Sequence, residues 1–185
     1  PELREQVFER IRSVVLTSAT LAAGGSFKHF RERVGLADCR ELLLGSPFDY
    51  RRQVTLRIVR DMPDPNDREK FRDRVIERVK HYLRMSQGRA FVLFTSYRLM
   101  NEVANALTPL LERDGIPVLV QGEGIAPHRM LEAFRENVGS VLFGADTFWA
   151  GVDVQGEALS NVIITRLPFA VPDHPVIEAR CELLR

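Results

Sequence analysis

The chain has 185 residues, 45% hydrophobic and 28% charged, enough to bury one sizeable core, and no run is apolar over the about 18 residues that crossing a membrane as a helix requires. A formal charge of +1 excludes a polycation that coats nucleic acid through net charge alone, so any such surface must come from how the charges are distributed. The expectation is a single α/β domain with an appendage.

Positive charge is almost all arginine, with lysine only at Lys28, Lys70 and Lys80. Arginine suits bidentate phosphate contacts, and a GC-rich genome produces the same bias. Cys39 and Cys181 are too few and too far apart for a zinc or iron–sulfur site and read as buried thiols of a reducing compartment. No secretory signal is visible, so the expected location is the cytoplasm, on the nucleoid if the source is bacterial. Pro1 is not a methionine and Arg185 falls inside a helical pattern, so the chain reads as a piece of a longer protein.

In chain order, Leu3, Val7, Phe8 and Ile11 give a helix over 2–11, and Ser13 to Leu16 reads as a strand. Gly24-Gly25-Ser26 is a turn and cap for a short helix from Phe27 to Val34. Glu41 to Leu44 is a candidate strand, and Gln53 to Val59 alternates as a half-buried one should. Asp64-Pro65-Asn66-Asp67 predicts a helix start, Asp64 as cap and Asp67 completing a capping box. That helix carries Phe71, Val75, Ile76, Val79, Tyr82 and Leu83 on one face and ends at Ser86-Gln87-Gly88.

From Arg89 the pattern alternates regularly: strand 90–94, helix 97–113 with Pro109 near its end, strand 116–120, helix 127–137, strand 140–143 and strand 161–165. Strand and helix joined by short links imply a parallel sheet covered on both faces. Its strands end in small, hydroxyl or acidic residues, which is where α/β sheets build ligand sites. Gly144, Asp146, Gly151, Asp153, Gly156 and Glu157 make the last long connection a phosphate-loop candidate. The four histidines have no metal spacing, and there is no Gly-x-Ser-x-Gly elbow.

The order of residues says more. Asp146-Thr147-Phe148-Trp149-Ala150-Gly151-Val152-Asp153-Val154, followed by Arg166-Leu167-Pro168-Phe169, resembles helicase motif V of the DinG branch of superfamily 2, which also holds the XPD-like DNA helicases. Thr17-Ser18-Ala19-Thr20, alone a cap or turn, resembles motif III. Phe91 to Tyr97 resembles motif IV, and Gln121-Gly122-Glu123-Gly124 the Gln-Gly turn that often follows it. Ala150 departs from the pattern, since many relatives carry glutamate there, so no side-chain contact is carried over at that position.

The resemblance implies a RecA-like second motor domain over residues 23–185, truncated before motif VI, with residues 1–22 the end of the first motor domain. It implies coupling through Ser18 and Thr20, DNA binding by Thr95, Ser96, Gln121 and Thr147, and nucleotide binding by Gly151 and Asp153. Arg166 stands where it can help grip phosphate. Tyr97 is open between stacking on a base and half-buried core.

The expected partners are single-stranded DNA and the first motor domain, with no membrane. The intact protein would use ATP and Mg2+ and translocate 5′ to 3′. The sequence here has no phosphate-cradling Gly-x-x-x-x-Gly-Lys-Ser/Thr loop, no metal-holding Asp-Glu pair and no iron–sulfur cysteines, so no ATPase activity is expected of it alone. Two rivals stay open at this point: a nucleic-acid-binding module without a motor, and an unrelated α/β enzyme binding a nucleotide.

Overall fold

The computed structural model describes residues 3–169 and 175–182. Glu2, where the first helix was expected to start, and His174 lie outside them. Among the described residues no helix is long and apolar enough to span a membrane. Two compact units divide at Ile58 and Val59.

In the first unit, Arg4–Phe8 is a single π-helical turn, α1 is Lys28–Val34 and α2 is Tyr50–Gln53. The Gly24-Gly25 turn forms as expected, closed by an Ala23–Ser26 bridge, and the Ser26 hydroxyl accepts from the Lys28 amide at 3.2 Å. The three expected strands here do not form: 13–16, 41–44 and the residues after Gln53 join no ladder. Alternation gives a segment a face to bury, but a strand also needs backbone partners and a covered face. None of this unit's described residues is buried, and Val15, Leu42 and Leu56 are mostly exposed. The same exposure overturns the expectation of buried thiols, because Cys39 is exposed, as is Cys181 in the other unit.

The second unit holds α3 (Arg68–Ser86), β1 (Ala90–Phe94), α4 (Tyr97–Arg113), β2 (Val118–Val120), α5 (Pro127–Glu136), β3 (Val141–Ala145), β4 (Asn161–Ile164) and α6 (Pro175–Glu182). Helix α3 starts later than its capping signal suggested. Asp67 is the cap, accepting from the Lys70 amide at 3.4 Å and pairing with the Lys70 ammonium at 2.6 Å, which holds its carboxyl below the usual range. Asp64 instead closes the preceding turn through the Asn66 amide at 2.8 Å.

The four strands are all parallel, in the order β2-β3-β1-β4, with Ala90 beside Val141 and Asn161, and Val118 beside Val141. Every residue of β1 and β3 is buried, which is why both read as continuous apolar runs. Phe71, Val75, Val79 and Leu83 of α3 and Met100, Val103, Ala104, Leu107 and Leu111 of α4 cover one face, against Val92, Phe94 and Phe143. Met130 and Phe134 of α5, with Phe148 and Ala158, cover the other against Phe91, Leu93 and Leu142. Pro109 is tolerated because both it and Asn105, whose carbonyl it leaves unpaired, are exposed. Arg84 reaches from α3 to Asp114 at the end of α4 through Nε (3.1 Å) and Nη2 (2.8 Å), holding that carboxyl below the usual range.

Ser140, just before β3, is 1% exposed, and its hydroxyl has no partner among the described residues. An unpaired buried hydroxyl costs about 1–3 kcal/mol relative to a paired one, while alanine leaves nothing to satisfy. Ser140→Ala is therefore expected to hold or raise stability, by up to about 1 kcal/mol in urea denaturation. A loss of more than that would mean the hydroxyl has a partner.

Candidate nucleic-acid interface

Because the strands are parallel, their C-terminal ends share one edge of the sheet. The register sets Gln121, after β2, opposite Gly144, and sets Thr95, after β1, opposite Asp146, after β3. Thr165, after β4, falls opposite Phe94. Across the rim the order is Gln121, then Asp146 and Thr147, then Thr95, Ser96 and Tyr97, then Thr165 and Arg166.

The β1 end is shaped by its helix. Ser96 caps α4, its hydroxyl accepting from the Leu99 amide at 3.4 Å, and Thr95, Ser96 and Tyr97 are all exposed. The β3 end turns sharply. Asp146 takes φ +37°, unusual for a residue with a side chain, and Asp146–Phe148 forms a 3-10 turn. That turn exposes Thr147 and buries Phe148 under the sheet, while Trp149 donates its indole N–H to the Phe94 carbonyl at 2.9 Å. Thr165 is turned inward, donating its hydroxyl to the Leu93 carbonyl at 3.0 Å, which leaves Arg166 exposed at the β4 end.

Gln121 binds these ends together. It is 8% exposed, and its backbone N–H extends the ladder to the Phe143 carbonyl at 3.0 Å. Its side-chain oxygen accepts from the Ala145 amide at 2.7 Å, and its side-chain nitrogen donates to the Tyr97 hydroxyl at 2.9 Å and the Thr147 hydroxyl at 3.0 Å. Three strand ends are thereby linked through one amide.

Gly151 and Asp153 are not tied into this cluster by any described hydrogen bond. Both are exposed on the connection from β3 to β4, where Gly151 takes φ +73°. Arg135 of α5 donates to the Asp153 backbone carbonyl, and Gln155 donates to the Asp153 carboxylate at 3.2 Å. Ser18 and Thr20 belong to the first unit, where the Ser18 hydroxyl accepts from the Thr20 amide at 3.2 Å. Gly144, read with the glycine loop, lies instead within β3, buried against Phe148. Among the described residues no three His, Cys, Asp or Glu side chains converge as a metal site.

Sequence reasoning did not reach the bonds from Trp149 to Phe94 and from Gln121 to Tyr97, which join positions 55 and 24 residues apart. The only signal for them was that each partner sits beside a strand's end.

Residues 79–185 match the family described as the helicase C-terminal domain. The chain is 37% identical to a Bacillus subtilis (strain 168) protein named 3′-5′ exonuclease DinG, over 99% of this chain and 20% of that protein. It is 39% identical to the ATP-dependent DNA helicase YoaA of Haemophilus influenzae, over 91% of this chain and 26% of that protein. With the ATP-dependent DNA helicase DinG of Photobacterium profundum it shares 38% identity, over 98% of this chain and 27% of that protein. The chain thus spans about a fifth to a quarter of the length of these relatives. The chain belongs to the helicase C-terminal domain family, as a DinG-like member of superfamily 2.

Proposed function

We propose that this chain is the strand-gripping part of an ATP-dependent DNA helicase, holding single-stranded DNA along the rim where its parallel strands end. The observation that carries this reading is the shared edge itself, on which Thr95, Ser96, Tyr97, Thr147 and Arg166 are exposed. Hydroxyls and a guanidinium in a row suit a sugar–phosphate backbone and carry no base preference. In this reading residues 23–185 form the second motor domain, residues 1–22 close the first, and Ser18 and Thr20 couple the two. Gly151 and Asp153, exposed on the long connection, face the nucleotide, and the intact protein uses ATP with Mg2+ and moves 5′ to 3′. Its setting is the cytoplasm, on the nucleoid if the source is bacterial.

The test is titration of a fluorescent oligo-dT strand with the chain across a range of salt. Weak binding is expected, with log affinity falling linearly with log salt by about 0.7 for each phosphate neutralised. Arg166→Ala should make that slope shallower by about 0.7. Wild-type binding that ignores salt, or no binding at low salt, would sink the reading.

A further inference from the structure

We infer that Gln121 is a positioning residue: without touching the bound strand, it sets the polarity of the Tyr97 and Thr147 hydroxyls so that both present their protons to a phosphodiester oxygen. This rests on the rim holding single-stranded DNA.

A carboxamide has two N–H donors and one acceptor oxygen. The two ends of the Gln121 amide are told apart by Ala145, whose backbone N–H can only donate and meets the side-chain oxygen at 2.7 Å. Flipping the amide would set donor against donor at a site that is 8% exposed. The nitrogen then has both protons committed, one to the Tyr97 oxygen at 2.9 Å and one to the Thr147 oxygen at 3.0 Å. No N–H of Gln121 is left for a ligand.

Each hydroxyl that accepts from Gln121 keeps its own proton. Among the described residues neither Tyr97 nor Thr147 donates that proton to a protein acceptor, and both residues are exposed, Tyr97 at 44%. Two hydroxyls fixed as acceptors on the inside are donors on the outside, and an anionic oxygen accepts from such a pair more strongly than the water it would replace. Tyr97 is thus assigned to the strand through its hydroxyl rather than by stacking.

Gln121→Glu tests this. The carboxylate has nearly the same shape and still accepts from Ala145, but it has no proton to give, so it draws both hydroxyl protons inward. Oligo-dT affinity should fall about tenfold. Tyr97→Phe and Thr147→Val should each weaken binding about threefold or more with an unchanged salt slope, since a hydroxyl carries no charge.

Repulsion by the new carboxylate would act whether or not the hydroxyls are there, so Gln121→Glu is repeated in the Tyr97→Phe/Thr147→Val background. There it should cost less than about twofold, as expected of partners in one network. A full tenfold loss in that background overturns the inference, and so does wild-type affinity in the single variant. If Gln121→Glu does not fold, judged by circular dichroism, the two hydroxyl variants decide, and binding untouched by both overturns it. Failure of the wild-type chain to bind oligo-dT would instead remove the reading of the rim, and the inference with it.

Discussion

Replacing Gly88 with alanine should strip the second unit of more than about 4 kcal/mol of its stability. The reason lies at the edge of the sheet opposite the rim. Helix α3 ends in a Schellman arrangement, with the Gly88 amide reaching the Leu83 carbonyl at 3.0 Å and the Gln87 amide the Arg84 carbonyl at 3.2 Å. Gln87, Gly88 and Arg89 then all take positive φ, so the chain reverses into β1 within three residues. Register brings a second link alongside: Ala90 pairs with Val141, so Gly88 and Gly139, each two residues earlier, run side by side.

A Cβ on Gly88 would stand 1.7 Å from the Gly139 carbonyl oxygen and 2.6 Å from its carbon, with the Ile116 Cγ2 at 3.2 Å. Those first two atoms are backbone, in the turn that leads into β3, and have no rotamer to change. The φ of +74° adds strain of its own. A cost above about 4 kcal/mol is expected, most of the stability of a domain at the lower end of the usual range of about 5–15 kcal/mol. Gly115→Ala is the control: φ there is +76°, but no atom lies within 4 Å of the added carbon, so only about 1 kcal/mol should be lost. Urea denaturation followed through the single tryptophan, Trp149, measures both. If the two variants unfold at the same urea concentration, the two links are not in contact.

How much of this was legible depended on whether the cause was local. Phe71, Val75, Val79 and Leu83 recur at helical spacing and all are buried, and the same holds for Met100, Val103, Ala104, Leu107 and Leu111. Strands β1 and β3 were legible because both their faces are covered, so burial leaves no polar position in them. The start of α3 was misplaced because Asp64 and Asp67 are equally good caps on paper, and Lys70 decides between them through its amide and its ammonium. The strands expected at 13–16 and 41–44 were short apolar runs and the one at 53–59 had the right alternation, but neither pattern says which backbone will pair with them.

At the rim the same division appears. That Thr95, Gln121, Thr147 and Arg166 each follow a strand was readable residue by residue. That one buried amide would join Tyr97, Ala145 and Thr147 depends on the order β2-β3-β1, which no spacing encodes. Gly144 makes the point in reverse. In sequence it belongs with Gly151 and Gly156 as loop glycine, whereas its place inside β3 gives it a packing role.

That role yields the second large effect. Gly144→Ala should leave a folded chain that is less stable by about 1–3 kcal/mol, the usual range for overfilling a packed core. The added Cβ would sit 2.8 Å from Cδ2 of Phe148 and 2.9 Å from its Cβ and Cγ. Phe148 cannot swing away, being 3% exposed and set edge-on to Phe91 with ring centroids 6.4 Å apart. Two of the three clashing atoms lie close to its backbone, so the 146–148 turn itself must shift. Thr147 moves with it, away from the Gln121 side chain it meets at 3.0 Å. Oligo-dT affinity should therefore fall about tenfold alongside the stability, as when a hydrogen bond to a charged group is lost. Phe148→Leu in the same chain gives the new methyl room and should restore part of both, whereas two independent defects would simply add. Loss of stability with wild-type oligo-dT affinity would break the link drawn here, because the turn would then be free to carry Thr147 wherever the strand requires it.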